Sequence, residues 1–251
     1  MADLWGKADG YTYIRMEGTE VPGTNAMTTV FLLDVDNTLL DNDRVVADLR
    51  RHLLRVVGPE REARYWAIFE QHRAEVGYAD YLGTLQRCRL EDPRDQHLRT
   101  IASFLLGYPF ANCLYPGALE VLALLGARGR TVILSDGDVV FQPLKVERSG
   151  LFAAVDGRVL IYVHKEQELD DVERLYPADH YVFVDDKIRL LTAFKRTWGD
   201  RVTTVFPRQG HYAHDPEVVA WPAPDITIER IGALLAADLL PGGAAPPRRH
   251  S

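Results

Sequence analysis

Residues 28–40, TTVFLLDVDNTLL, constrain what this chain can fold into more than any other stretch. The apolar, β-branched run at residues 30–33 is short, unbroken and closed by Asp34-Val35-Asp36-Asn37-Thr38. A run without polar alternation predicts a strand covered on both faces, the inside of an α/β sheet. Ligands in such sheets bind beyond the carboxyl ends of the strands, where Asp34 and Asp36 fall. Positions i and i+2 of an extended segment point to the same side. Two carboxylates so placed repel unless a cation or a shared proton relieves them. The plain alternative is an Asp-rich turn capping the next helix, and the downstream chain decides between the two.

Residues 41–115 read as helical throughout. Asp43 is the expected cap of a helix carrying Val46, Leu49, Leu53, Leu54 and Val57, closed by Gly58-Pro59. Further helices are expected over 60–76, ended by Gly77, over 78–89, and over 94–106. From Pro116 the pattern alternates. Strands are expected at 130–134, 159–163, 180–184 and 202–206, with helices at 118–127, 138–149, 166–175, 188–198 and 226–240. This order predicts a Rossmann-like parallel sheet, residues 28–40 and 116–240, with an all-helical cap subdomain, residues 41–115, inserted after the first strand. Residues 1–27 read as a poorly ordered arm, with Met27 an alternative start, and 241–251 as a disordered tail.

The strands after the first also end in polar groups of catalytic type: Ser135, then Lys165, then Asp185 and Asp186. Carboxyl ends of parallel strands share one edge, so residues from 34 to 186 are expected in one site. Their chemistry suits phosphoryl transfer. Magnesium prefers carboxylate and carbonyl oxygens, which Asp34, Asp185 and Asp186 supply. Ser135 and Lys165 suit phosphate oxygens, and the transition state is served mainly by positioning and charge. A carboxylate serves as nucleophile, and a second acid serves to move protons.

At this point the chain resembles the haloacid dehalogenase superfamily in its phosphatase branch. LLDVDNTLL is similar to the family's first motif, TVILSDG to the second, VHKEQ to the third and YVFVDDK to the fourth, across residues 29–206. The resemblance implies Asp34 as nucleophile, Asp36 as general acid and then base, and Thr38 and Ser135 as positioning groups. It implies that Lys165 stabilises nucleophile and phosphate, with Asp136 beside it at the substrate. Asp34, Asp185, Asp186 and the backbone carbonyl of Asp36 are the implied magnesium ligands. Asn37 stands where glycine is commoner. The third motif lacks the frequent Lys-Pro pair, which leaves Lys145 as a competitor for the lysine role. An Asp-Asp pair replaces Gly-Asp, leaving the sharing of the metal open.

Asp36 argues against a haloacid dehalogenase, which lacks that second acid. Residues 41–115 contain eleven Arg, eleven acidic residues and no Lys, against the cap lysine a phosphonatase needs. A phosphomutase, and a non-catalytic binding or regulatory member of the family, remain alternatives to a phosphatase of a small phosphorylated metabolite. The net charge of −7 argues against nucleic acid or a membrane surface as partner. The two cysteines, Cys88 and Cys113, read as reduced residues of a cytoplasmic protein. Asp136 and Asp138 are expected to cap the following helix, and His211 and His214 to lie in a surface loop. One or two of Tyr65, Trp66, His72, Arg73, Tyr78 and Tyr81 are expected to face the site. Nothing in the sequence sets the substrate or the oligomeric state.

Overall fold

The computed structural model describes residues 5–8, 11–14 and 28–236. The remainder of the expected arm, Met27 included, and the expected tail lie outside the described residues. Within the arm, β1 (Trp5–Ala8) pairs antiparallel with β2 (Tyr11–Ile14).

The core is a six-stranded sheet made of β3 (Thr29–Leu33), β4 (Arg130–Asp136), β5 (Val159–Tyr162), β6 (His180–Val184), β7 (Val202–Pro207) and β8 (Ile226–Ile228). Its spatial order is β5-β4-β3-β6-β7-β8, and every pairing is parallel. β3 therefore lies between β4 and β6, and its neighbours end beside it. The continuous apolar run of β3 is explained by the two cores it separates. Val30 and Leu32 enter one hydrophobic cluster, Phe31 and Leu33 the other, as the two-residue period of a strand requires. Helix α8 (Ile188–Trp198) seals the first cluster, with Phe194 stacked on Phe183 at 3.9 Å and Trp198 on Tyr181 at 4.2 Å between ring centres.

The second cluster continues into the helical insertion, made of α1 (Asn42–Val76), α2 (Tyr81–Glu91) and α3 (Leu98–Leu106). Helix α1 runs through the expected stop at residues 58 and 59 but breaks there: Gly58 has φ 80°, next to a proline that has no N–H to give the helix. It is capped by Asp41, not the expected Asp43, through a 2.9 Å bond from the Arg44 N–H. Gly77 ends it in the left-handed conformation. The insertion leaves and rejoins the sheet at one place, where the Asp41 N–H donates to the Cys113 carbonyl and the Tyr115 N–H to the Leu39 carbonyl. Rings of Tyr81 and Phe110 on this side pack against Phe141 of α5 (Phe141–Arg148), which lies between α4 (Ala118–Gly126) and α6 (Leu151–Ala154) in the chain.

The helix expected over 226–240 is a correction. Residues 226–228 are the edge strand β8, followed by a 3₁₀ turn at Ile231–Leu235, and 237–240 lie outside the described residues. The helix expected over 166–175 is a 3₁₀ turn, Lys165–Gln167, followed by α7 (Leu169–Leu175). No described helix is long and apolar enough to cross a membrane.

Candidate active site

The loop after β3 is a tight turn built on one unusual residue. Asn37 has φ 59°, a region that Gly occupies freely and Asn better than most residues. Its side-chain carbonyl accepts from the Asn42 and Asp43 N–H groups at the start of α1. Asn37 thus satisfies the backbone need that glycine meets by flexibility, and adds two bonds that glycine lacks. The next polar residue, Thr38, accepts the Asp186 N–H at 3.1 Å, which ties the first loop to the end of β6.

Two lysines divide the carboxylates. The Lys165 ammonium donates to Asp34 Oδ1 at 2.6 Å and to the Leu134 carbonyl at 3.2 Å. It also meets Asp185 Oδ2 as a 2.6 Å ion pair, off hydrogen-bond direction. Burial works against its charge, but Asp185, Asp34 and Asp136 outweigh that and raise its pKa. The competitor Lys145 occupies a different place, donating to both oxygens of Asp36 at 2.7 and 2.8 Å. Asp136 turns away from the helix it was expected to cap and accepts the Lys165 N–H at 2.9 Å. Asp138 accepts from the Val140 and Phe141 N–H groups in the turn that leads into α5. Ser135 Oγ accepts from the buried Gln142 side chain at 2.9 Å.

Asp34, Asp185 and Asp186 offer oxygens that all lie within 4.8 Å of one another, and all three residues are buried. Asp34 Oδ2 and both Asp186 oxygens have no hydrogen-bond partner. Burial pushes Asp185 up to about 6, with Lys165 opposing and Asp34 adding to the rise. Asp186 is held well above the usual carboxylate range by burial and then by the charges of Asp185 and Asp34. Three buried carboxylates with unmet oxygens and one shared ammonium fit a hard divalent cation, whose donors are oxygens. The Asp36 side chain is not in this group, having turned to Lys145.

Sequence reasoning missed three contributors. Lys187 follows the acidic pair; its ammonium lies 3.9 Å from Asp136 and 5.3 Å from the Tyr212 ring centre. Tyr212 in turn accepts from Arg73 of α1. Asn42 bonds Lys145 at 3.1 Å. The Lys187 signal was its adjacency to Asp186; Asn42 carried none, because its partner Lys145 is far along the chain. Of the aromatic and basic residues of the insertion, Tyr81 feels the charge of Asp36. Its hydroxyl is fully buried, and burial and then the Asp36 charge raise its pKa. His211 lies in a loop as expected, paired with Asp43 at 2.5 Å.

A parallel sheet that delivers carboxylates, lysines and a serine to one edge, under a helical insertion, defines an α/β enzyme with a covered site. The model of the haloacid dehalogenase-like hydrolases matches residues 28–196. The chain belongs to that family of hydrolases. It is similar to a crystal structure from Burkholderia xenovorans LB400 of a protein assigned as a haloacid dehalogenase-like hydrolase, at 62% identity and TM-score 0.81, over 85% of this chain and 97% of that one. It shares its fold with an L-2-haloacid dehalogenase from Xanthobacter autotrophicus with chloropropionic acid covalently bound, at 20% identity and TM-score 0.55, over 83% and 97% of the two chains. A magnesium-bound HAD-hydrolase, YfnB, from Bacillus subtilis shares it at 16% identity and TM-score 0.55, over 84% and 98%. Comparison with curated protein sequences gives no match.

Proposed function

We propose that this hydrolase is a magnesium-dependent phosphatase of a small phosphorylated metabolite, working in the cytoplasm. The observation that carries the reading is the orphaned set of buried oxygens, Asp34 Oδ2 and both oxygens of Asp186, facing one another beside Lys165. Such a set is costly alone and suits a cation with a phosphate bound next to it. Asp34, Asp185, Asp186 and the Asp36 backbone carbonyl would hold magnesium, which when bound neutralises charge on the phosphate oxygens.

The chain's own residues then supply the rest. Asp34 attacks phosphorus, and its carboxylate becomes an aspartyl phosphate. Lys165 keeps Asp34 aimed and balances the phosphate charge. Ser135, oriented by Gln142, and the Lys165 backbone region held by Asp136 line the phosphate position. Thr38 locks the loop carrying the nucleophile to the metal-binding end of β6. Asp36 moves protons to the leaving oxygen and from water. Residues 41–115 act as the cap that excludes water and selects the leaving group. Asp36 also favours this reading over dehalogenation, which needs no second acid at that position. The test is phosphate release from a panel of phosphorylated metabolites, with magnesium and with chelator. Release that survives exhaustive chelation contradicts the metal assignment, and no release from any ester contradicts the phosphatase reading.

A further inference from the structure

Each carboxylate of the first loop has a lysine of its own. Lys165 takes Asp34, while Lys145, on α5, takes Asp36. Lys145 is 1% exposed, and a buried ammonium is tolerated only when its hydrogens are met. Here they are met, two by the Asp36 oxygens and one by Asn42 Oδ1. Both Asp36 oxygens thus accept from the one ammonium, which fixes where that side chain points. The Asp36 side chain is 29% exposed, so water reaches it, whereas the Lys145 side chain is closed off. Among the described residues, the hydrogen bonds to the Asp36 side chain come from Lys145, while the Lys165 ammonium serves the carboxylate two positions earlier. Asn42 begins α1, where the insertion leaves the sheet, and its side chain meets the buried Tyr81 hydroxyl of α2. The contact chain from insertion to Asp36 is therefore continuous.

We infer that Lys145 is a positioning residue dedicated to Asp36, holding that carboxylate where it takes a proton from the water that hydrolyses the aspartyl phosphate. The inference rests on the phosphatase reading. In the step concerned, the water oxygen bonds to phosphorus. The bond from phosphorus to the Asp34 oxygen breaks, and its electron pair returns to the Asp34 carboxylate. The water proton passes to Asp36, and inorganic phosphate leaves.

The experiment uses p-nitrophenyl phosphate, whose leaving group departs without a proton, so formation of the phosphoenzyme does not need Asp36. Lys145→Met should lower kcat about 100-fold, the scale of a misplaced catalytic group. It should leave kcat/KM within about threefold and produce a burst of one nitrophenolate per enzyme. Asp36→Asn should show the same pattern, and the double variant should be no slower than Asp36→Asn alone, as expected for two groups acting as a unit. Asn42→Ala, which keeps the lysine, should give the same split at smaller size and carries the test if Lys145→Met does not fold. Equal losses in kcat and kcat/KM without a burst, or additive losses in the double variant, overturn the inference while leaving the phosphatase reading intact. Wild-type protein that turns over no phosphoester overturns both.

Discussion

Asp186→Asn is expected to make the metal-free protein more stable while abolishing its response to magnesium. Asp186 is 0% exposed and neither of its side-chain oxygens has a partner. Burying an unsatisfied polar group costs about 1–3 kcal/mol, more when it is charged. Asparagine keeps the shape and removes the charge, so about that much should return. For a chain of this size, 1 kcal/mol moves Tm by about 2–4 °C, giving a rise of roughly 2–12 °C in chelator at neutral pH. The pH dependence has a definite sign. The pKa of Asp186 is higher folded than unfolded, so between the two values the native state binds more protons, and stability falls as pH rises. The advantage of the variant should therefore be small below about pH 4 and grow as pH rises until Asp186 is ionised in the fold. Magnesium should raise the Tm of the wild type and leave the variant nearly unmoved. Thermal melts with chelator and with magnesium, repeated across pH, decide it. A variant that melts below the wild type in chelator, or that gains as much from magnesium, refutes the reasoning.

Asp34→Asn should reduce phosphate release to background with the melting curve intact; activity at wild-type level removes Asp34 as nucleophile. Gly77→Ala should cost about 1–2 kcal/mol for a left-handed Cβ, because Gly77 has φ 87° and a Cβ there would sit 2.5 Å from His164 Cε1; a melt checks it. Leu32→Ala, at a position 0% exposed between β4 and β6, should cost about 2–5 kcal/mol in chemical unfolding.

The order of strands was legible because the core strands announce themselves. Residues 30–33 and 181–184 are apolar runs that end abruptly in acids, too short for a buried helix and suited to a strand covered on both faces. The edge strand β8 was not legible. Ile226-Thr227-Ile228 is too short to show a period, and the apolar residues 231–235 after it imitate a helix. The break in α1 and the helix that resumes directly after it were both read from Gly58-Pro59 and the periodicity of residues 60–76. At the site, Asp34, Thr38, Ser135, Lys165, Asp185 and Asp186 were nominated by their place after strands, and the structure brings them together at one edge. Lys145 shows the limit of that logic. It was named only as a rival for the Lys165 role, and its actual partner, Asp36, follows from the approach of α5 to the first loop. The fate of Asp136 shows the same limit, since its contact with the Lys165 N–H depends on how β4 and β5 align.

The central claim is that Asp34 carries the phosphoryl group during turnover. Borohydride reduces an aspartyl phosphate to homoserine, so wild-type protein quenched with it during turnover of a phosphoester in magnesium can be digested and sequenced by mass spectrometry. Homoserine at position 34 is the predicted result, lost when chelator is present or when Asp36 and Asp34 are both replaced. Steady turnover with residue 34 recovered only as aspartate, or homoserine at another position, would contradict the account.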